Sequence, residues 1–188
     1  MAEDTKTGLH KWVMIIDQNK CVQCHACTLA CQNQNSLAPK EYFNRLEERE
    51  QGSFPKYRRR IIPVQCQHCD NPPCVDVCPV GASYKRKDGV VMVNFGTCIG
   101  CKYCILACPY GVRVVNKAEG YIHKCTFCIE FVEQGQKPAC QTTCPMGVRT
   151  FGDLNDPNDP VHAILASKKT VKLLAELKTL PSIYYIVG

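Results

Sequence analysis

The sequence predicts an α+β protein of two small units, each built from short helices and β-hairpins around cysteine ligand groups, with a C-terminal helix and extended tail. Three observations predict it. Sixteen of the 188 residues are cysteine, and they fall into four groups of four with none left over. The spacing inside the groups alternates between a tight and a loose form, an internal repeat of a ligand pattern. Between the groups the chain reads as short strands, tight turns and brief helical stretches.

Group one is Cys21, Cys24, Cys27 and Cys31, and group three is Cys98, Cys101, Cys104 and Cys108. Both have the form C-x2-C-x2-C-x3-C. Group two (Cys66, Cys69, Cys74, Cys78) is C-x2-C-x4-C-x3-C, and group four (Cys125, Cys128, Cys140, Cys144) is C-x2-C-x11-C-x3-C. Group four alone would pass as a structural zinc site, which takes two close ligand pairs across a longer loop. The tight groups would not. Three cysteines at two-residue gaps wrap the chain around three corners of a cube, which requires several metal atoms close together. Group three, CIGCKYCILACP, matches the bacterial ferredoxin run C-x2-C-x2-C-x3-C-P at every ligand and at Pro109.

Helix geometry assigns the fourth cysteine. Cys104 and Cys108 are four residues apart, one turn along one helix face. Cys108 lies about 6 Å further along the axis, so it reaches a second cube more easily than the one its own loop encloses. Pro109 ends the helix there. Groups therefore work in pairs, each pair holding two clusters. Sixteen cysteines make four [4Fe-4S] clusters in two ferredoxin-like units. Two nestings satisfy the spacing: one with two and three with four, or one with four and two with three.

The elements follow in chain order. KWVMIID (11–17) is expected as a strand leading into group one. ACTLACQNQN suits a helix, and Gln32, standing where group three has Pro109, lets it run on. The stretch 32–65 is the longest cysteine-free connection, with polar EYFNRLEEREQG followed by KYRRRIIPVQ; it is expected to be either a solvated loop or a partner-docking surface. ASYKRKDGVVMVN (82–94) reads as a hairpin turning at Asp88-Gly89. YCILACP suits a short helix. VRVVNKAEGYIHK (112–124) reads as a second hairpin around Glu119-Gly120. DLNDPNDP (153–160) is a break, and PVHAILASKKTVKLLAELKT a helix with Val161, Ile164, Leu165, Val171, Leu174 and Leu177 on one face. The tail LPSIYYIVG is apolar and is expected to dock on the core or on a neighbour.

Several classes are excluded. The first residues lack an apolar h-region, a small-residue cleavage site and a twin-arginine pair, so no leader is expected. No stretch approaches the roughly 18 apolar residues of a spanning helix. The formal charge of +6 hints at nucleic acid. However, four thiolate-bound cubanes at −2 each bring the total to about −2, so the basic excess offsets cluster charge. No P-loop, dinucleotide-binding glycine run or nucleophile–base signature is present.

The motifs VMIIDQNKCVQCHACTLAC, VQCQHCDNPPCVDVCPVGA, CIGCKYCILACPYGVR and KCTFC, in this order, resemble the four-cluster iron–sulfur (beta) subunit of molybdopterin oxidoreductases, of the dimethyl sulfoxide, polysulfide, thiosulfate, tetrathionate and arsenate reductase type. The resemblance runs over about residues 11–155, and LPSIYYIVG is similar to the family's ending. It implies the nested pairing. Cys21, Cys24, Cys27 and Cys144 would bind cluster 1; Cys31, Cys125, Cys128 and Cys140 cluster 2; Cys66, Cys69, Cys74 and Cys108 cluster 3; and Cys78, Cys98, Cys101 and Cys104 cluster 4. Residues 11–35 plus 109–155 would then form the first unit and 60–108 an inserted second unit, with 36–59 an insertion and 156–188 the C-terminal helix and tail. Some relatives carry Trp at the second cysteine of group three and hold a [3Fe-4S] cluster; Cys101 implies four cubanes here.

The resemblance further implies an electron-transfer subunit without catalytic residues. It would relay electrons between a membrane quinone or quinol subunit, nearest cluster 4, and a molybdopterin catalytic subunit, nearest cluster 1. It would sit at the membrane through its partners, on the periplasmic face by co-export or alternatively on the cytoplasmic face. A polyferredoxin subunit of a hydrogenase or formate-linked complex is the competing reading, and a zinc-binding interaction module the third. Among other residues, His25 and His68 read as neighbours rather than ligands. Lys102, Arg113, Lys117 and Lys124 are solvated charges, or cations that raise a nearby cluster's potential, Lys102 foremost. Tyr103 and Tyr110 read as packing residues.

Overall fold

The computed structural model describes residues 10–188; the reading of the first residues as leaderless concerns 1–9 and lies outside the described residues. Strand β1 (Trp12–Asp17) is buried along its length because both its faces are covered. Its even-numbered residues Met14 and Ile16 join the main core with Phe127, Phe151, Ile183 and Tyr185, among several cysteines. Its odd-numbered residues Val13 and Ile15 meet Val161, Ile164 and Leu165 on the opposite side. The period-2 alternation of a strand divides one apolar run between two cores.

Around β1 stands a four-stranded sheet in the order β8-β1-β10-β9. β8 (Arg149–Asp153) pairs antiparallel with β1, and β10 (Ile183–Ile186) pairs parallel, Met14 opposite Ile183. The tail expected to dock therefore becomes an interior strand. β9 (Thr170–Val171) closes its outer edge.

The long helix expected over 160–179 is not formed. Helix α6 covers only Val161–Ser167. The chain then extends into β9, which supplies the ladder partner that β10 would otherwise lack, and Leu174 and Lys178 adopt left-handed backbone around a 3-10 turn at Ala175–Leu177. Val171 and Leu177, placed on the apolar face by the helical reading, are exposed. Pairing a buried strand outweighed helix propensity.

Both predicted hairpins are present: β4 (Ser83–Lys85) with β5 (Val91–Val93), and β6 (Val114–Val115) with β7 (Ile122–His123). The connection expected as a loop or docking surface is chiefly a third hairpin, with β2 (Asn44–Ser53) against β3 (Lys56–Gln65). Its base is buried, but residues 48–59 are exposed throughout.

Helix α1 spans Ala26–Gln34 and runs past Cys31, as Gln32 allows. Helix α3 is shorter, Tyr103–Leu106, and ends before Pro109. Cys108 therefore lies just beyond the helix, its N–H on the Ile105 carbonyl, rather than a full turn along it. α2 (Pro73–Asp76), α4 (Ile129–Val132) and α5 (Ala139–Thr142) are single turns within groups two and four. Among the described residues no helix is long and apolar enough to cross a membrane.

Candidate metal centres

The first C-x-x-C pair of each group has a left-handed residue immediately before its second cysteine: Gln23, His68, Gly100 and Phe127. This turn directs backbone N–H groups inward, and the N–H of Phe127 lies 3.4 Å from the Cys125 sulfur. At Gly100 the fold also requires glycine, since a Cβ there would lie 2.5 Å from the Gly120 carbonyl oxygen. A second repeated device follows three of the last cysteines. Cys78, Cys108 and Cys144 are each followed by Pro-x-Gly, and the glycine N–H returns to the cysteine carbonyl at 3.2–3.3 Å. N–H groups further along reach two of these sulfurs, Ser83 to Cys78 at 3.4 Å and Val148 to Cys144 at 3.3 Å.

These turns bring the sixteen cysteines to four cavities. Cys21, Cys24, Cys27 and Cys144 line the first, with Leu46, Pro63 and Arg149. Cys31, Cys125, Cys128 and Cys140 line the second, with Phe43 and Phe127. Cys66, Cys69, Cys74 and Cys108 line the third, with Tyr110 and Arg113. Cys78, Cys98, Cys101 and Cys104 line the fourth, again with Arg113. Among the described residues no three Cys, His, Asp or Glu side chains converge on a point that would hold one metal ion. The four sulfurs of each cavity surround a space instead, as ligands of a multi-iron cubane do.

Burial disfavours the free thiolate at several of these sulfurs. Burial, then the neighbouring Cys140 and Cys128, pushes the Cys31 thiol up to about 12. Burial pushes Cys69 up to about 12 and Cys125 well above its ordinary value. Such thiols give up their protons to a metal and not to water, which couples cluster loading to proton release. Cys78 goes the other way. Burial raises it, but the N–H groups of Ser83, Val80, Ala82 and Gly81 outweigh that and hold it below the ordinary thiol value.

The expected cations are sorted differently by the structure. Lys102 lines the fourth cavity but is exposed, and Lys117 is exposed. Arg113 and Lys124 are buried. Arg113 Nη2 donates to the Cys74 sulfur at 2.9 Å and to Ser83 Oγ at 2.7 Å. Lys124 Nζ donates to the Cys125 carbonyl at 2.8 Å and to that of Val91. Sequence reasoning missed Arg149. It is buried, donates to Gln65 Oε1, and has Nη2 3.8 Å from the Cys27 sulfur. The signal was there: CPYGVR (108–113) and CPMGVR (144–149) put an arginine at the same offset from a group's last cysteine.

The two histidines differ. His25 is exposed. His68 is buried, stacks on Phe127 at 3.8 Å and accepts the Val91 N–H on Nδ1; burial, then Lys124 and Arg113, holds it well below the usual imidazole value and therefore neutral. Tyr110 is a packing residue tied to Thr179 at 2.6 Å, while Tyr103 is exposed.

Comparison with known proteins agrees with this chemistry. Residues 57–154 match the 4Fe-4S dicluster domain, and residues 20–82 match a second family of the same description. The sequence is 40% identical over 186 residues to the B subunit of polysulfide reductase from Wolinella succinogenes, covering 94% of each protein. It is 35% identical over 225 residues to the B subunit of selenate reductase from Mesobacillus selenatarsenatis, covering 99% of this protein and 77% of that one. It is 38% identical over 182 residues to the B subunit of tetrathionate reductase from Salmonella typhimurium, covering 94% and 72%. Two dicluster domains and sixteen cysteines fit four [4Fe-4S] clusters.

Proposed function

We propose, for a chain that belongs to the 4Fe-4S dicluster proteins alongside the B subunits of respiratory reductases, that it relays electrons through four [4Fe-4S] clusters between a membrane quinone subunit and a molybdopterin catalytic subunit. The ligand sets of this reading are Cys21, Cys24, Cys27 and Cys144; Cys31, Cys125, Cys128 and Cys140; Cys66, Cys69, Cys74 and Cys108; and Cys78, Cys98, Cys101 and Cys104. The observation that carries it is four cavities, each walled by four cysteines, whose neighbours share an element. Helices α1 and α5, with the residues just after them, serve the first two cavities. α2 and α3, in the same way, serve the last two. On this basis 11–35 with 109–155 form one unit and 60–108 the other.

Bound clusters supply one-electron carriers. The protein's own residues ligate them, exclude water from the buried thiolates and hold cations beside them. The β2–β3 hairpin is the contact we assign to the catalytic subunit. Its base residues Leu46 and Pro63 wall the first cavity, and Arg59 bonds Gln23 beside Cys24. Arg49, Gln51, Arg58 and Arg60 share one face through the pairs Arg49–Arg60 and Gln51–Arg58. On the other face Arg59 neutralises Glu48 at 2.8 Å. Leu46, Pro63 and Arg59 lie on the face turned to the first cavity, and the basic face of Arg49, Arg58 and Arg60 is turned the other way, where it fits an acidic surface on a protein docked against the hairpin. The assembly would stand at the membrane through a quinone-reactive subunit, on the periplasmic face.

The test is anaerobic co-purification with iron and acid-labile sulfide analysis. About sixteen iron per chain, with a molybdenum-pterin subunit attached, is expected. Four zinc and no sulfide, or a nickel–iron subunit in its place, would overturn the reading.

A further inference from the structure

Three buried cations have no carboxylate partner among the described residues: Arg149, Lys124 and Arg113, 3%, 2% and 5% exposed. An unpaired charge is expensive to bury, and negative charge close by offsets that cost. Their places are regular. Arg149 lines the first cavity, with Nη2 3.8 Å from the Cys27 sulfur, and its Nη1 donates to Gln65 and lies 3.6 Å from the Met14 sulfur, two residues that line the second. Lys124 joins the carbonyl of Cys125, in the second cavity, to that of Val91, which lines the third. Arg113 lines both the third and the fourth, bonds the Cys74 sulfur, and leaves Nη1 without a partner among the described residues. That orphaned donor fits a bound anionic cluster as its acceptor.

We propose that Arg149, Lys124 and Arg113 are internal counter-ions, one at each junction between successive clusters, which hold the clusters' potentials up and weaken the repulsion between electrons on neighbours. The inference rests on the four-cluster reading above. Each transfer moves one electron from a reduced cluster to its oxidised neighbour, with no bond or proton changing hands. A unit of negative charge thus leaves one side of the cation and arrives on the other. A cation at the junction attracts that charge on either side, whereas a cation beside one cluster alone would favour one direction. The repeated CP-x-GVR motif sets the two arginines at equivalent offsets.

The experiment is an EPR-monitored redox titration of Arg113→Gln and Arg149→Gln proteins, with signals assigned through single-cysteine ligand variants. Arg113→Gln should lower the reduction equilibrium of the third and fourth clusters at least tenfold, about 59 mV for one electron, and leave the first two in place. Arg149→Gln should do the reverse, and Arg113→Lys should restore most of the change. Intact iron content with unshifted potentials, or an equal shift of all four clusters, would overturn the proposal. If Arg113→Gln loses iron, Arg113→Lys decides: full iron with potentials near those of the unaltered protein supports the counter-ion role, and full iron with the glutamine-sized shift refutes it. Failure of the unaltered protein to hold sixteen iron is a different result, which removes the four-cluster reading itself.

Discussion

Cys27 and Cys31 stand one turn apart on the same helix, yet they line different cavities. Cys27 joins Cys21, Cys24 and Cys144, while Cys31 joins Cys125, Cys128 and Cys140. A single helical turn is therefore the rigid wall between two candidate metal centres.

This relationship predicts selective damage. Cys31→Ser should weaken or abolish the EPR signal of the cluster completed by Cys125, Cys128 and Cys140, with a loss of up to about four iron per chain. The signal of the cluster held by Cys21, Cys24, Cys27 and Cys144 should survive. Cys144→Ser should give the opposite pattern. Equal loss of both signals in each variant would contradict the division.

The hairpin face predicts an electrostatic partner. Arg58 and Arg60 have no ion-pair partner among the described residues, and Arg49 meets only Glu47 at 3.5 Å. Reversing all three to glutamate should slow association with the catalytic subunit about tenfold or more at low salt, and the deficit should shrink as salt rises. Iron content should stay unchanged. Surface plasmon resonance across a salt series measures this, and unaltered association would dismiss the docking assignment.

The interior tail strand predicts a core-like cost at the C-terminus. Ile183 is fully buried beside Met14, so Ile183→Ala should cost about 2–5 kcal/mol. Tyr185 donates to the Pro63 carbonyl at 2.9 Å and binds the Gln67 amide at 3.2 Å. Tyr185→Phe leaves those buried groups short of a partner and should cost about 1–3 kcal/mol. Denaturant unfolding of the holoprotein reads both; a tail that merely rests on the surface would show neither.

Gly100→Ala should loosen the fourth cavity first. It places a side chain in left-handed backbone, about 1–2 kcal/mol of strain, and drives a Cβ against the Gly120 carbonyl. Thermal release followed by EPR should show the Cys78, Cys98, Cys101 and Cys104 cluster bleaching before the other three.

Asp70 gives a pH test. Burial opposes its ionisation, but Lys11 and Lys85 outweigh that and hold its carboxyl below the usual value. The folded pKa is thus depressed. Its stabilisation is complete above the unfolded value of about 3.9 and is lost as pH falls through the lower folded one. The pairs are about a third exposed, so Asp70→Asn should cost no more than about 1 kcal/mol at pH 7. The gap from the unaltered protein should close below pH 4. A constant gap would show that the charge is not responsible.

Sequence by itself determined the local features, because their causes are local. Cysteine spacing specifies loops that enclose a cube, Asp88-Gly89 and Glu119-Gly120 specify turns, and Gln32 in place of proline lets α1 run to Gln34. Tertiary structure decided what depends on distant partners. It seated Ile183–Ile186 between β1 and β9, and so converted half of an expected helix into a strand and a turn. It drew Cys144 to the cavity of Cys21, and it buried Arg149 while leaving Lys102 in solvent. Desolvation and strand pairing depend on which segments meet in space, and no periodicity along the chain encodes that meeting.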